Sequence, residues 1–184
     1  MKKDSQTEFE TKVLDLDKEE VIKKLRELGA KESPEALSRR YVFDMESEDM
    51  EWIRLREIDG KATLAYKFKP KGNIQVGKTQ EIETEVANFE ETAKILLKIP
   101  FKQVLYQENK THIFHLNGIE YSIDTWPMLE PYLEIESSSL EKVAEGLKLL
   151  NLEGKDIGDK DIRSIYLEKN IDFHTLTDLK FEKN

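Results

Sequence analysis

Glu8-Phe9-Glu10-Thr11-Lys12 is the stretch that decides the fold, because its charged residues occupy every second position. On a β-strand alternate side chains point to the same face, so Glu8, Glu10 and Lys12 would form one row. Phe9 and Thr11 would point to the opposite face. A single stretch of this kind is typical of a solvated strand, but four later segments repeat the design. The repetition predicts a sheet with one charged face and one apolar face.

The later segments place further charges on the same kind of row. Their apolar positions, such as Ile53 and Leu55, would lie opposite the charges. The turns Asp59-Gly60 and Asn117-Gly118 are typical of hairpins, which predicts antiparallel neighbours. The acids of all the rows are Glu8, Glu10, Glu81, Glu83, Glu85, Glu134 and Glu136, with Asp124 as a further candidate. The bases are Lys12, Arg54, Arg56, Lys67 and Lys69.

Helical periodicity separates some of these strands. Apolar spacing predicts helices over residues 18–29, 89–98 and 140–150, and a short helix over 160–169. Asp17, Asn88 and either Ser138 or Ser139 are the expected N-caps. Hairpin strands with inserted helices predict an α+β fold with an antiparallel sheet.

The charged rows favour closure of this sheet into a barrel. Removing a charge from water costs several kcal/mol unless it is compensated, so a dozen charges cannot form a dry core. A barrel of about eight strands would enclose the charges in a wet cavity with room for one small ligand, while the helices cover its apolar outside. The alternative is an open, solvated sheet whose charges pair with one another.

Composition sets the class of protein. The 184 residues predict one domain, 1–184, and the net charge of −9 argues against a nucleic-acid partner. No apolar stretch resembles a signal peptide or a membrane span, so no membrane association is expected. The chain has no cysteine, which excludes disulfides and thiolate metal sites and fits a cytoplasmic location.

Acids and bases lining one cavity point to a particular ligand. Guanidinium and ammonium groups bind phosphate oxygens, whereas carboxylates would repel them. Carboxylates make sense if they hold a hard divalent cation, because Mg²⁺ binds oxygen ligands and commonly lies between carboxylates and substrate phosphates. The residues therefore predict a complex of a metal ion with a polyphosphate as the ligand.

These motifs resemble the CYTH domains of the triphosphate tunnel metalloenzymes, which include class IV adenylyl cyclases, thiamine triphosphatases and inorganic triphosphatases. The resemblance covers about residues 6–173. The family's Glu-x-Glu-x-Lys signature corresponds to Glu8-Phe9-Glu10-Thr11-Lys12, and its Arg-x-Arg strand to Arg54-Leu55-Arg56. Its lysine strand, first acidic strand and later segments are similar to Ala65-Tyr66-Lys67, Glu81-Ile82-Glu83, Ile123-Asp124-Thr125-Trp126-Pro127 and Tyr132-Leu133-Glu134-Ile135-Glu136.

The resemblance implies an eight-stranded antiparallel β-barrel that forms a triphosphate tunnel with helices packed outside, and a requirement for Mg²⁺ or Mn²⁺. It implies that the metal ligands are Glu8, Glu10, Glu134 and Glu136, with Glu81, Glu83 and Asp124 as secondary candidates. It implies that the phosphate-binding residues are Lys12, Arg54, Arg56 and Lys67, to which Lys69 is added from the same row. Lys12, Arg54 and Arg56 are the expected catalytic residues.

One strand departs from the family pattern. The family usually has Lys-x-Arg where Asn109 and Thr111 stand, and the intervening Lys110 is expected to point outward. The departure removes positive charge from a strand that would contact the triphosphate.

A competing motif lies between two of the strands. Residues 72–79, GNIQVGKT, match the phosphate-binding loop of nucleotide hydrolases letter for letter. That loop requires a helix beginning at its Lys-Thr pair, here Lys78 and Thr79. The residues that follow alternate as a strand, so we expect a polar hairpin loop instead.

Among the enzymes of this family, the sequence most resembles class IV adenylyl cyclases, which convert ATP to cyclic AMP and pyrophosphate. Hydrolysis of inorganic or thiamine triphosphate is one alternative, and a non-catalytic polyphosphate- or nucleotide-binding module is another. The expected partner is a small triphosphate molecule, and assembly as a homodimer remains an option.

Overall fold

The computed structural model of this protein describes residues 9–69 and 80–182, apart from the side chains of Lys69 and His174. The predicted metal ligand Glu8 and the loop motif at 72–79 lie outside the described residues. The helices are α1 (Lys18–Glu27), α2 (Phe89–Leu96), α3 (Leu140–Leu150) and α4 (Ile162–Glu168), with a 3₁₀ turn at Phe173–Thr175. The strands are β1 (Phe9–Val13), β2 (Lys31–Glu32), β3 (Ala36–Asp44), β4 (Met50–Ile58), β5 (Lys61–Lys69), β6 (Gln80–Val86), β7 (Gln103–Leu116), β8 (Ile119–Thr125), β9 (Tyr132–Ser137) and β10 (Asp178–Leu179).

Eight of these strands follow one hydrogen-bonded path, in the order β1-β9-β8-β7-β3-β4-β5-β6. The described strand pairs leave the path open at β1 and at β6. The short strands β2 and β10 pair with β7, and β10 does so in parallel. The predicted α+β class with an antiparallel sheet is confirmed. The two short strands were not predicted, because two residues are too few to show a periodic pattern.

The chain groups into two compact units, and β7 contributes to both. The first unit contains residues 9–36 and 110–173. Its sheet order is β1-β9-β8-β7, and the apolar face of this sheet packs against α1 and α3. Its core is made by the fully buried side chains that alternate with the charges, together with the apolar stripes of both helices. Representative members are Leu133, Ile135, Ile123, Leu25 and Leu147.

The second unit contains residues 37–69, 80–109 and 174–182. The first half of β7 joins β3, β4, β5 and β6 in its sheet. Phe43 and Leu55 are fully buried on the apolar face, where they form a core with Phe89, Ala93 and Leu96 of α2. In each unit the charged face of the sheet therefore lies opposite a helix-covered apolar face. The organisation as a single domain stays a prediction.

Local sequence explains where the elements begin and turn. Asp17 accepts hydrogen bonds from the amides of Glu19 and Glu20, and Asn88 accepts one from the amide of Glu91. Ser139 caps α3 in the same way, so the predicted N-caps are confirmed. The hairpin turns use left-handed residues, with φ of 49° at Asp59 and 55° at Asn117, each followed by a glycine with positive φ.

Helix α3 approaches the sheet closely at Gly146. A Cβ atom on this glycine would lie 2.9 Å from Cγ2 of Ile135 in β9 and 3.3 Å from Cγ2 of Ile119 in β8. Such distances are shorter than van der Waals contact, so no larger residue fits without moving the helix or the strand. Ile135 is fully buried beneath this contact. The position of β9 is therefore set by a helix that packs directly onto its apolar side.

None of the described helices combines the length and the apolar composition that crossing a bilayer requires.

Candidate active site

Strands β1 and β9 bring the predicted acids together on the charged face of the first unit. Their antiparallel register places Glu10 opposite Glu136 and Lys12 opposite Glu134. Directly opposed residues in an antiparallel pair have Cβ atoms about 4.5–5.5 Å apart, so their side chains interact. The intervening residues Leu133 and Ile135 point into the core, as the alternation predicts.

Glu10, Glu134 and Glu136 form an acidic cluster. A carboxylate oxygen of each lies within 4.8 Å of an oxygen of the other two. Two oxygens bound to one Mg²⁺ or Ca²⁺ ion lie at most about 4–5 Å apart, because the metal–oxygen bonds are about 2.0–2.6 Å long. The three carboxylates, which are hard oxygen donors, therefore lie close enough together for one divalent cation to bind them. This is the one group suited to a metal within residues 9–69 and 80–182.

Lys12 lies inside this cluster. Its Nζ is 2.9 Å from Glu10 Oε1 and 2.9 Å from Glu134 Oε2, and its side chain is only 7% exposed. Burial alone would lower the pKa of Lys12, but the charges and hydrogen bonds of Glu134 and Glu10 outweigh it, and the pKa is raised. Lys12 therefore stays charged and helps to neutralise the acids around it.

The surroundings of Glu134 disfavour its charged form. Burial raises its pKa, the pairing with Lys12 lowers it, and the like charges of Glu10 and Asp124 raise it further. The net pKa lies above the usual value for a glutamate. Additional positive charge at this cluster would thus be favourable, which is what a bound cation supplies.

Asp124 lies on the same face, one strand further along the sheet. It is opposite Tyr132 of β9 and opposite Thr111 of β7, and it is 9% exposed. Thr111 Oγ1 donates a hydrogen bond of 2.5 Å to Asp124 Oδ1. Burial, followed by the charges of Asp124 and Glu134, raises the pKa of the Tyr132 hydroxyl. The structure therefore places Asp124 beside the acidic cluster, although the three clustered oxygens do not include its own.

Sequence reasoning missed one acid on this face. Glu120 of β8 lies opposite Glu136, and Ser122 Oγ donates to Glu120 Oε1 at 3.2 Å. Oε2 of Glu120 also lies 3.7 Å from Nδ1 of His115. The spacing of Glu120, Ser122 and Asp124 at every second position is the signal that could have identified it, but a serine interrupts the row of charges.

The second unit carries the predicted bases on β4 and β5. Arg54, Arg56 and Lys67 share one face with Glu81 and Glu83 of β6, as the alternation predicts. Arg54 Nη2 lies 3.1 Å from Glu81 Oε1 and 3.3 Å from Glu83 Oε2. Lys67 Nζ lies 3.1 Å from Glu81 Oε2. The structure therefore pairs Glu81 and Glu83 with bases of their own unit.

Arg54 and Arg56 retain unused capacity to bind an anion. Burial, then the charge of Arg54, lowers the pKa of Arg56, and Glu83 and Glu81 only partly restore it. Nε of Arg54 is buried without a hydrogen-bond partner among the described residues. A phosphate oxygen would satisfy such a donor and relieve the repulsion between the two guanidinium groups. Lys69 is the last residue of β5.

A base that sequence reasoning missed lies on this same face. Arg40 of β3 is directly opposite Arg56 of β4, whereas its neighbour Arg39 is opposite Glu57. Arg39 and Arg40 are adjacent and must point to opposite faces of the strand. Nothing in two consecutive arginines shows which of them shares the face of Arg54 and Arg56. Only the register of β3 against β4 assigns it.

The structure shows the contacts of Asn109 and Thr111, which replace the usual Lys-x-Arg pair. Asn109 is 4% exposed and accepts a hydrogen bond from Arg40, while Thr111 bonds to Asp124. Lys110 is exposed on the opposite face of β7. There the hydrogen bond from Lys18 lowers the pKa of Glu35, and the charge of Lys110 adds to this effect.

Comparisons with known proteins agree with these features. The sequence pattern of the CYTH domain matches residues 6–166 of this chain. A protein of Methanocaldococcus jannaschii that bears the name "Putative adenylate cyclase" is 33% identical over 175 residues, which is 88% of this chain and 97% of the relative.

Solved structures share the fold at lower identity. A structure from Vibrio parahaemolyticus, described as that of a "putative adenylate cyclase", has a TM-score of 0.66 and 12% identity, and covers 89% of this chain and 99% of its own. A structure from Hippeastrum, described as a "putative adenylyl cyclase" that reveals a dominant triphosphatase activity, has a TM-score of 0.52 and 14% identity, and covers 88% of this chain and 95% of its own.

Proposed function

The chain belongs to the CYTH domain family, and on that premise we propose that it is a divalent-metal-dependent enzyme that acts on a triphosphate. The observation that carries the proposal is the acidic cluster of Glu10, Glu134 and Glu136, whose oxygens lie within 4.8 Å of one another. The row of Arg54, Arg56 and Lys67 supports a polyphosphate as the substrate, because these residues bind phosphate oxygens through charge-assisted hydrogen bonds.

Each set of residues would have a distinct task. Glu10, Glu134 and Glu136 would hold Mg²⁺ or Mn²⁺, with Glu8 as a fourth ligand proposed from the sequence. When bound, such a cation supplies positive charge that neutralises phosphate oxygens and orients the substrate. Lys12 would keep the carboxylates in place through its pairs with Glu10 and Glu134. Arg54 and Arg56 would stabilise the negative charge that develops on the leaving phosphate.

The proposed reaction is the conversion of ATP to cyclic AMP and pyrophosphate. In this reaction the 3′-hydroxyl of ATP attacks the α-phosphorus, the bond from that phosphorus to the bridging oxygen breaks, and pyrophosphate leaves. The name of the Methanocaldococcus jannaschii relative supports this candidate. The charge on the departing pyrophosphate would be met by the guanidinium groups of Arg54 and Arg56.

Hydrolysis of inorganic or thiamine triphosphate is a second candidate. Here water would attack a terminal phosphorus, and orthophosphate would be released. The description of the Hippeastrum structure as having a dominant triphosphatase activity favours this alternative. The same binding residues would serve both reactions, since both substrates present a chain of three phosphates.

We propose a cytoplasmic location, because the chain has no cysteine and could form no disulfide in an oxidising compartment.

One incubation separates the candidates. The protein is mixed with ATP, inorganic triphosphate or thiamine triphosphate in the presence of Mg²⁺ or Mn²⁺. Cyclic AMP with pyrophosphate identifies a cyclase, and orthophosphate identifies a phosphohydrolase. Tight binding without turnover identifies a binding module, and no binding to any triphosphate would contradict the proposal. The variant Arg54→Gln serves as the control for a contaminating activity, because it should lose whichever activity belongs to this protein.

A further inference from the structure

We infer that residues 156–158, here called the edge segment, position the acidic cluster by fixing β1 at Lys12, a role that rests on the proposed function. The edge segment lies between α3 and α4, and it covers the edge of β1 that does not pair with β9. The backbone amide of Lys12 donates to the carbonyl of Gly158 at 3.0 Å. The amide of Ile157 donates to the carbonyl of Lys12 at 2.8 Å. Both backbone groups of Lys12 therefore bind the edge segment.

These two hydrogen bonds determine how Lys12 meets β9 on its other side. Residues opposite each other in an antiparallel pair either exchange both backbone hydrogen bonds or direct both of these groups away. The amide and the carbonyl of Lys12 point to the edge segment, so Lys12 and Glu134 form a pair of the second kind. The side chains of such pairs lie closer together. The edge segment therefore favours the 2.9 Å contact between Nζ of Lys12 and Oε2 of Glu134.

A side-chain contact fastens the edge segment to β1 as well. Thr11 points to the face opposite Lys12, and its Oγ1 donates to Oδ2 of Asp156 at 3.1 Å. Asp156 itself lies opposite Val13. Thr11, Lys12 and Val13 are at most 6% exposed, so little water is available to replace these hydrogen bonds. Three consecutive residues of β1 are therefore held by the edge segment.

Fixing β1 also fixes one of the clustered acids. Glu10 stands two residues before Lys12 on the same face, and it lies opposite Glu136 of β9. A displacement of β1 along or away from β9 would therefore change the spacing between Glu10 and the two acids of β9. Small divalent cations tolerate little error in the spacing of their ligands. The edge segment thus acts on metal affinity through β1, without contributing an oxygen to the cluster.

Gly158 gives the edge segment a backbone conformation that other residues rarely adopt. Its φ of 72° lies in the left-handed region, and its carbonyl is the acceptor for Lys12. Gly154 has φ of 73°, but the backbone bonds that the structure describes between this region and β1 do not involve it. A Cβ atom at either glycine would meet no atom within 4 Å, so alanine imposes the same kind of strain at both. Gly154 is therefore a matched control for Gly158.

The test compares the affinity for Mn²⁺, measured by calorimetry, with the stability of the same proteins, measured by urea unfolding. Gly158→Ala and Gly154→Ala should lose similar stability, because both introduce the same strain. Only Gly158→Ala should bind Mn²⁺ more weakly, by about tenfold. Equal Mn²⁺ affinities for the two variants would overturn the inference.

Substitutions of Thr11 test the hydrogen bond and remain informative if Gly158→Ala does not fold. Thr11→Val keeps the shape of the side chain but removes the donor to Asp156, whereas Thr11→Ser keeps the donor and loses a methyl group. Thr11→Ser should therefore bind Mn²⁺ more tightly than Thr11→Val. The opposite order would show that Thr11 acts only by packing, and would overturn its positioning role.

Substitutions of Asp156 separate positioning from a direct effect of its charge. Asp156→Asn keeps an oxygen that can accept from Thr11, so it should bind Mn²⁺ nearly as the wild type does, while Asp156→Ala should bind more weakly. Equal losses in the two variants would assign the effect to the charge of Asp156 and overturn the inference.

Two further results assign any failure. Variants of the edge segment that lose stability but bind Mn²⁺ as the wild type does would overturn the inference and leave the proposed function intact. A wild-type protein that binds neither Mn²⁺ nor Mg²⁺ would overturn the proposed metal site and the inference together.

Discussion

Lys12 and Glu134 are directly opposed on β1 and β9, and Nζ of the lysine lies 2.9 Å from Oε2 of the glutamate. The same ammonium group lies 2.9 Å from Oε1 of Glu10. Lys12 therefore pairs with Glu10 of its own strand and with Glu134, which lies on a strand more than a hundred residues later in the chain. The pair therefore links the two acidic strands.

Lys12→Met should destabilise the protein and make its stability more dependent on Mg²⁺. Removing one partner of a largely buried pair leaves uncompensated carboxylates, at a cost of about 1–3 kcal/mol for a site that is partly open to solvent. A bound cation would offset that cost, so added Mg²⁺ should shift the urea midpoint more in the variant than in the wild type. The control is Lys23→Met, since Lys23 is 77% exposed and lies 3.9 Å from Glu27. Equal midpoints for Lys12→Met and wild type would refute the prediction.

Glu134→Gln and Glu136→Gln should abolish turnover while the protein stays folded. An amide keeps the shape of the side chain but loses the charge that holds a cation. Because burial raises the pKa of Glu134, removing its charge should not unfold the protein. Calorimetry should show that the affinity for Mn²⁺ falls at least about tenfold in each variant. Glu153→Gln, in the exposed turn after α3, is the control. Unchanged turnover in both site variants, with the same metal dependence, would remove the assignment.

Arg54→Ala or Arg56→Ala should reduce turnover strongly, whereas Lys78→Ala should change it little. The first two remove guanidinium groups from the charged face of the second unit, where Nε of Arg54 is buried without a described partner. Lys78 belongs to the loop motif, which a strand rather than a helix follows at Gln80–Val86. Steady-state rates with inorganic triphosphate measure the difference, expected to be about a hundredfold for each arginine. Loss of all triphosphate affinity in Lys78→Ala alone would reverse this ranking.

Stability in acid should depend on Glu32. The bidentate hydrogen bonds from Arg26, at 2.8 and 2.6 Å, lower the pKa of Glu32 to about 2, and His112 adds to the effect. A carboxylate whose pKa is depressed by folding stabilises the native state above its unfolded pKa, near 4.5, and this contribution disappears as the pH falls toward 2. Glu32→Gln should therefore flatten the fall in stability over that window. Glu27→Gln is the control, and thermal unfolding between pH 2 and 5 gives the comparison. Parallel curves for Glu32→Gln and wild type would contradict this assignment.

Local patterns were sufficient to predict most of the fold. Alternation gave the facing of Glu10, Lys12 and Glu134, and the turn Asp59-Gly60 gave the antiparallel pairing of β4 and β5. These features depend on neighbours in sequence, because side-chain direction in a strand has a period of two. The helix N-caps were predictable for a similar reason, since capping requires only a few consecutive residues.

What escaped prediction depends on contacts between distant segments. Arg40 could be assigned to a face only from its register with Arg56. Glu120 was missed because Ser122 interrupts its row of charges, and its register with Glu136 shows that it faces an acid. The pairing of Glu81 and Glu83 with Arg54 likewise requires the order of strands in the sheet. A sequence shows which residues share a strand face, but the neighbouring strand decides whether a carboxylate meets a base or another carboxylate.

The close approach of Gly146 to Ile135 ties the precision of the proposed metal site to a residue that would never contact the metal. Ile135 stands between Glu134 and Glu136 in β9, so a shift of the strand at Ile135 would move two of the three clustered carboxylates together. In a Gly146→Ala variant the added methyl group would press against Ile135 of β9. We expect its first effect to be a smaller preference for Mg²⁺ over larger cations, because small ions tolerate the least error in the spacing of their ligands. The proposed metal site therefore depends on Gly146 of α3, which packs behind the strand that carries two of the three clustered carboxylates.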